Sequence, residues 1–245
     1  MSRLLVIQNI EREPAGLFEK IACQEAIEVI ISRPYSGETI PEPKPKDIVL
    51  IMGGPMGVND LSNPLYPWLK NEIKLIKHCL EKNIGFLGIC LGAQLLAKAA
   101  GGDVQPLKNE SQTEPKAEIG WSPILSKKCT EKREIMSYFD SPLDVLHWHS
   151  DRICLPKGSV LLASSKRCKE QFFQIGPYAY GLQFHIEVTE WMFNKLVEED
   201  KEFIVKGLGQ DAENILYKQQ LNFSSKSKNS REKLIRGLLE FLSRK

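Results

Sequence analysis

The sequence predicts an α/β protein: one domain with a mixed, largely parallel central sheet flanked by helices, a small antiparallel extension and a C-terminal helical tail. Three observations predict it. The first hundred residues alternate apolar strand-like runs with helical periodicity, the pattern of a parallel sheet covered on both faces. After Gly101-Gly102, short strand-like runs follow one another with turn residues between them, as in antiparallel pairing. From Thr189 onward the periodicity is helical again. At 245 residues, with 42% hydrophobic and 26% charged side chains, the chain can bury one large core.

Taken in order, Leu4–Gln8 reads as a buried strand, and Pro14–Ala26 carries helical spacing at Leu17, Phe18, Ile21 and Ala22. Residues 27–32 read as a second strand. The run Pro41 to Lys46 is too proline-rich for either regular element. Residues 47–52 form a third strand that ends in Gly53-Gly54-Pro55. Helical spacing from Trp68 to Leu80 leads to a fourth strand, Ile84–Ile89, then to Cys90 and a helix stopped by Gly101-Gly102. Runs at 118–125, 144–149, 160–165, 171–174 and 180–185 read as strands, the last one ending at His185. A helix follows from 189. Residues 201–245 hold ten Lys/Arg against five Asp/Glu. They read as a basic helical extension packed on, or tethered to, a domain of residues 1–200. Residues 223–230 read as a flexible joint, and 231–242 as an amphipathic helix with a solvated basic face.

Composition excludes several classes. A formal net charge of +2 gives no reason to expect nucleic acid or an acidic membrane surface. Six scattered cysteines without Cys-x-x-Cys spacing argue against zinc and a disulfide framework, and for a reduced, cytoplasmic setting. No stretch approaches the length of a membrane span.

The chemistry centres on Gly88-Ile89-Cys90-Leu91-Gly92. A nucleophile between two glycines, after a strand and before a helix, is the arrangement of a nucleophile elbow, here with cysteine. The glycines admit the tight backbone, and the helix N-terminus favours a thiolate. A thiol needs a base and an orienter. His185 and Glu187 lie two residues apart, so in extended chain their side chains share a face. Glu187 then holds one imidazole nitrogen and leaves the other for Cys90. Backbone N–H groups of Gly54, in the turn after the third strand, and Leu91, next to the nucleophile, are the candidate donors for an oxyanion. His147 and His149 alternate about Trp148 near Asp151. Without a further ligand cluster they argue for no metal, and His149, at a strand end, for a structural or substrate-contacting role.

Together these stretches resemble the class I glutamine amidotransferases of the Cys-His-Glu type. The resemblance rests on Gly53-Gly54-Pro55-Met56, on Gly88 through Gln94, on Glu118-Ile119-Gly120-Trp121, on His147 through Asp151 and on Gly181 through Glu187. It covers roughly residues 1–195 and is nearest to free-standing proteins similar to the amidotransferase domain of GMP synthase. It implies a flavodoxin-like sheet, Cys90 as nucleophile, His185 as base and Glu187 as its orienter. Gln94, His149 and Ser150 are implied as glutamine contacts, with Gly53 beside them, and no cofactor is implied. The reaction implied is release of ammonia through a glutamyl thioester, with a separate ammonia-accepting synthase subunit as partner. Two readings compete: a γ-glutamyl peptidase using the same three residues, and a non-catalytic regulatory module. The family usually reads His-Pro-Glu where this chain has Ile186, and no Ser-Gly-Gly-x-Asp-Ser signature of an ATP pyrophosphatase follows.

Overall fold

A computed structural model describes residues 2–108, 117–127 and 133–244. One of the six cysteines, Cys129, lies outside them. The parallel half of the sheet is built from β1 (Arg3–Ile7), β2 (Glu28–Ser32), β3 (Ile48–Ile51) and β4 (Gly85–Ile89). The helices α1 (Leu17–Gln24), α2 (Leu69–Lys82) and α3 (Leu91–Ala99) connect and cover them. Alternate residues of each strand enter opposite cores: Leu4, Val6, Ile48, Leu50 and Leu87 lie on the α1 side. Leu5, Ile7, Val49, Ile51 and Phe86 lie against α2 and α3. Burial on both faces is why these strands read as unbroken apolar runs.

The chain then forms a two-stranded antiparallel pair, β5 (Asp103–Pro106) with β8 (Asp151–Cys154), that the sequence did not signal. Both strands are short and largely polar, so no alternation marked them. The remaining strands are β6 (Glu118–Ser126), β7 (Leu143–His149), β9 (Val160–Ser164), β10 (Phe172–Ile175) and β11 (Ala179–Leu182). The nine-stranded sheet runs β2-β1-β3-β4-β11-β10-β9-β6-β7. The four pairings from β2 to β11 are parallel and those from β11 to β7 antiparallel, so the later strands extend the first sheet.

The strand expected to end at His185 stops at Leu182. There the chain leaves β4 and turns toward β7, where His185 pairs in a single antiparallel bridge with Leu146, its N–H donating to the Leu146 carbonyl at 2.8 Å. The far edge of the sheet thus curls back toward its middle, and the curl carries the β7 end and His185 to the mouth of β4.

The C-terminal part is helical throughout: α4 (Glu190–Glu199), α5 (Lys201–Leu208), α6 (Ala212–Gln219), a π-turn over Gln220–Ser224 and α7 (Ser225–Ser243). The flexible joint expected at 223–230 is therefore helix. Its polar residues have structural work, since the Ser224 carbonyl and the Ser227 hydroxyl both accept from the buried Arg231 guanidinium. Leu234, Ile235, Leu238, Leu239 and Leu242 of α7 recur at helical spacing, are fully buried and join the core that α1 shares. Burial of each such side chain contributes about 1.5–3 kcal/mol. No helix of the described residues is long and apolar enough to cross a membrane.

Candidate active site

Cys90 sits between the end of β4 and the start of α3 with φ 48° and ψ −103°. A non-glycine residue held there costs on the order of 1–3 kcal/mol, and the surroundings explain why it persists. Its N–H donates to the Leu182 carbonyl at 2.8 Å, and its carbonyl accepts from Gln94 N–H at 3.0 Å. The flanking glycines are steric requirements: a Cβ on Gly88 would collide with the Gly92 backbone, and one on Gly92 with the Ile51 carbonyl. The turn therefore nests against β3 and against its own helix, and the thiol is lifted toward a cavity of about 250 Å³ at the carboxyl ends of the parallel strands.

His185 and Glu187 come together beside the thiol. His185 Nδ1 lies 2.7 Å from Glu187 Oε1, and both side chains are buried. With Nδ1 turned to the carboxylate, the second ring nitrogen serves the hydrogen bond with Cys90. Burial works against the imidazolium, but the Glu187 charge and Cys90 outweigh it, so His185 is held well above the ordinary histidine value of 6.5.

Gln183 completes the surroundings of the sulfur. Its Nε2 donates to Sγ at 3.5 Å while its Oε1 accepts from Gln94 Nε2 at 3.3 Å, and the Trp148 carbonyl lies 4.0 Å from Sγ. Gln183 was not singled out from the sequence, although alternation in the strand expected to run to His185 would put the two on one face.

Gly54, Leu91, Gln94, His149 and Ser150 all line the cavity with Cys90 and His185. The Leu91 amide belongs to the first turn of α3, where N–H groups have no partner within the helix. Gly53 does not line the cavity; it packs against Glu13 and within 3.3 Å of His185 Cε1, measured from the position a Cβ would take. Gln94 presents its amide to Gln183, and His149 turns both ring nitrogens to the protein, Nδ1 to the Asp151 carbonyl at 2.8 Å and Nε2 to Glu118 at 3.2 Å. The His147–His149 pair is thus completed by the Glu118 carboxylate rather than by Asp151. Burial alone would raise Glu118, yet the His149 hydrogen bond and the two nearby imidazoles bring it below its ordinary value. Burial pulls His147 down to about 4.

Two further side chains enter from the loop after β1, where no motif marked them. Glu13 is buried, lines the cavity and is pushed above the ordinary carboxylate range by burial, with the His185 charge acting the other way. Arg12 spans the rim, its guanidinium bonded to Asp200 at 2.9 Å and to Glu199 at 3.1 Å. Asp200 also accepts from Trp148 Nε1 at 2.8 Å, and Phe203 of α5 lines the cavity. The only signal that could have found Glu13 is its place just past a parallel strand's carboxyl end.

Comparison with known proteins bears on the family and the fold. The family model described as glutamine amidotransferase class-I matches residues 20–202. The glutamine amidotransferase-like protein YfeJ of Salmonella typhimurium is 30% identical over 199 residues, 80% of each chain. The glutamine-hydrolysing GMP synthase of Marinobacter nauticus is 31% identical over 170 residues, 66% of this chain but 29% of the synthase. The crystal structure of a glutamine amidotransferase from Thermotoga maritima superposes with a TM-score of 0.83 at 31% identity, covering 100% of this chain and 99% of that one.

Proposed function

Because the chain belongs to the class I glutamine amidotransferase family, we propose that it releases ammonia from the glutamine side chain through a thioester on Cys90. The observation that carries this reading is the strained cysteine at a helix N-terminus facing a buried His185 whose other nitrogen is 2.7 Å from Glu187. Sγ attacks the side-chain amide carbon. The N–H groups of Gly54 and Leu91 stabilise the oxyanion. His185 delivers its proton to the leaving nitrogen, the C–N bond breaks and ammonia departs. His185 then takes a proton from water, which attacks the thioester and regenerates the thiol with release of glutamate. Glu187 keeps the ring oriented and balances its charge in both steps. The cavity of about 250 Å³ suits a single amino acid, held by the segment through His149 and Ser150, by Gln94 and by the Gly53-Gly54 turn.

The ammonia is passed to a separate acceptor subunit, a reading supported by the likeness to the GMP synthase A subunits of Methanoregula boonei and Methanobrevibacter smithii, 32% and 33% identical over 49% and 58% of this chain. Residues 201–245 belong to the working unit, since Phe203 lines the cavity and Arg231 binds the backbone beside Glu187.

The test is turnover of glutamine beside a panel of γ-glutamyl peptides, with Cys90→Ala as the blank. Ammonia from glutamine that depends on Cys90 supports the proposal. Cleavage confined to γ-glutamyl peptides would replace it with a peptidase using the same acyl chemistry. Silence on both, together with failure of a glutamine-mimicking alkylator to label Cys90, would point to the non-catalytic reading.

A further inference from the structure

Behind the cavity wall, and reaching it through His149, lies a buried polar cluster that takes no part in the proposed bond-making steps: Glu118 on β6, His147 and His149 on β7, and Gln171 just before β10. The register explains the meeting, because Glu118 pairs directly with His149 across the β6–β7 hairpin. Gln171 arrives from the neighbouring turn.

Both imidazoles are turned the same way. His147 Nε2 faces the Ser122 carbonyl at 3.3 Å, and His149 Nδ1 faces the Asp151 carbonyl at 2.8 Å. A carbonyl only accepts, so each ring carries a proton on its outer nitrogen. The inner nitrogens, His147 Nδ1 and His149 Nε2, both face Glu118 Oε2, at 3.6 and 3.2 Å. Two ring nitrogens and a carboxylate oxygen thus converge on one buried point. Such a cluster is costly to bury unless a proton or a metal cation lies among its acceptors. His147 Nδ1 and Gln171 Oε1 have no hydrogen-bond partner among the described residues, and Gln171 Nε2 is 2.7 Å from Glu118 Oε2 and 3.4 Å from His149 Nε2.

We propose that Glu118, His147 and His149 form a buried site for one zinc-class divalent cation, with the Gln171 amide oxygen as fourth ligand after a half-turn of the amide. Four features select this occupant. The three ligand atoms lie within 4.8 Å of one another. Zinc bonded at about 2.0–2.2 Å in a tetrahedron sets its ligand atoms roughly 3.3–3.6 Å apart, close to the two separations at Glu118, 3.6 and 3.2 Å. Two imidazoles with one carboxylate suit zinc, cobalt or nickel rather than magnesium or calcium. Each ring also donates its outer N–H to a backbone carbonyl, the arrangement that orients metal-binding histidines. The site is closed and structural. It ties β6, β7 and the entry to β10, and so fixes Trp148, whose carbonyl faces Cys90 Sγ, and Ser150 in the cavity wall. This inference stands independently of the substrate.

The experiment uses chelator-treated full-length protein carrying Cys90→Ser, so that the cavity thiol cannot itself hold the metal. Titration with Co²⁺ is expected to give one equivalent bound with the intense visible absorption of a tetrahedral site. One equivalent of Zn²⁺ should abolish it and raise the thermal midpoint. His147→Asn is expected to weaken binding by at least on the order of 100-fold, with Glu118→Gln as the second variant should the first fail to fold. The proposal is overturned if the parent binds no tight equivalent, if bound cobalt lacks the tetrahedral spectrum, or if a folded His147→Asn or Glu118→Gln protein binds as the parent does.

Discussion

Arg231 of the last helix donates from Nη1 to the carbonyl of Ile186 at 3.0 Å, and from the same nitrogen to that of Val188 at 3.2 Å. These two carbonyls bracket Glu187, the residue that holds His185. The guanidinium is buried, bonds Ser227 Oγ and the Ser224 carbonyl, and lies 5.0 Å over the Trp121 ring. Burial pulls its pKa down to about 10, and the Glu187 carboxylate opposes that fall. Glu187 Oε2 has no hydrogen-bond partner among the described residues, so the nearby guanidinium charge helps to keep that carboxylate tolerable in the interior. This chain has Ile186 between His185 and Glu187, and Arg231 clamps the backbone there from outside.

Arg231 therefore positions the proposed orienter without touching substrate. Arg231→Met is expected to lower kcat for glutamine roughly 10- to 100-fold with little change in KM, and to cost about 3 kcal/mol of stability. Arg231→Lys keeps the charge but loses the fork, and should fall between. Steady-state kinetics with urea unfolding checks both, and an unchanged kcat in a folded Arg231→Met protein would refute the clamp.

His185 sets the pH response. Burial lowers its pKa, but Glu187 and Cys90 together raise it well above 6.5. A raised folded value means that the folded state holds the proton more tightly. The resulting stabilisation is fully present below 6.5 and is lost as pH rises through the folded value. NMR of the labelled imidazole should show titration well above 6.5, and Glu187→Gln should move it down. The stability difference between parent and variant should shrink as the pH becomes alkaline.

The elbow tolerates no Cβ at its glycines. Gly88→Ala and Gly92→Ala each push a methyl into backbone that cannot move aside, and each is expected to cost at least about 3 kcal/mol or to prevent folding. Chemical unfolding and labelling of Cys90 by a glutamine-mimicking alkylator measure this, and near-normal behaviour in both would show the turn to be looser than described.

The last helix is core. Leu238 and Leu239 are fully buried among residues of the central sheet, so Leu238→Ala is expected to cost about 2–5 kcal/mol, as in any well-packed interior. A loss of unfolding free energy below about 0.5 kcal/mol in urea would instead mark α7 as a loosely attached appendage.

What the sequence determined by itself is whatever lies within a few residues of chain. Two glycines about Cys90, a strand before it and a helix after it announce the elbow, because local sterics dictate that turn. His185 and Glu187 were legible as a pair because two residues of chain keep them in reach. Unbroken apolar runs such as Ile48–Ile51 declare strands buried on both faces. Tertiary structure decided the rest. Glu118 reaches His149 only through the register of β6 on β7, and His185 meets Leu146 only because the antiparallel edge curls back. The serines around 224–230 looked like a joint until Arg231 was seen to need Ser224 and Ser227 as partners. Periodicity records which side of an element is buried. It carries no record of which distant polar group will be waiting there, and that is set by strand register and the packing of helices on the sheet.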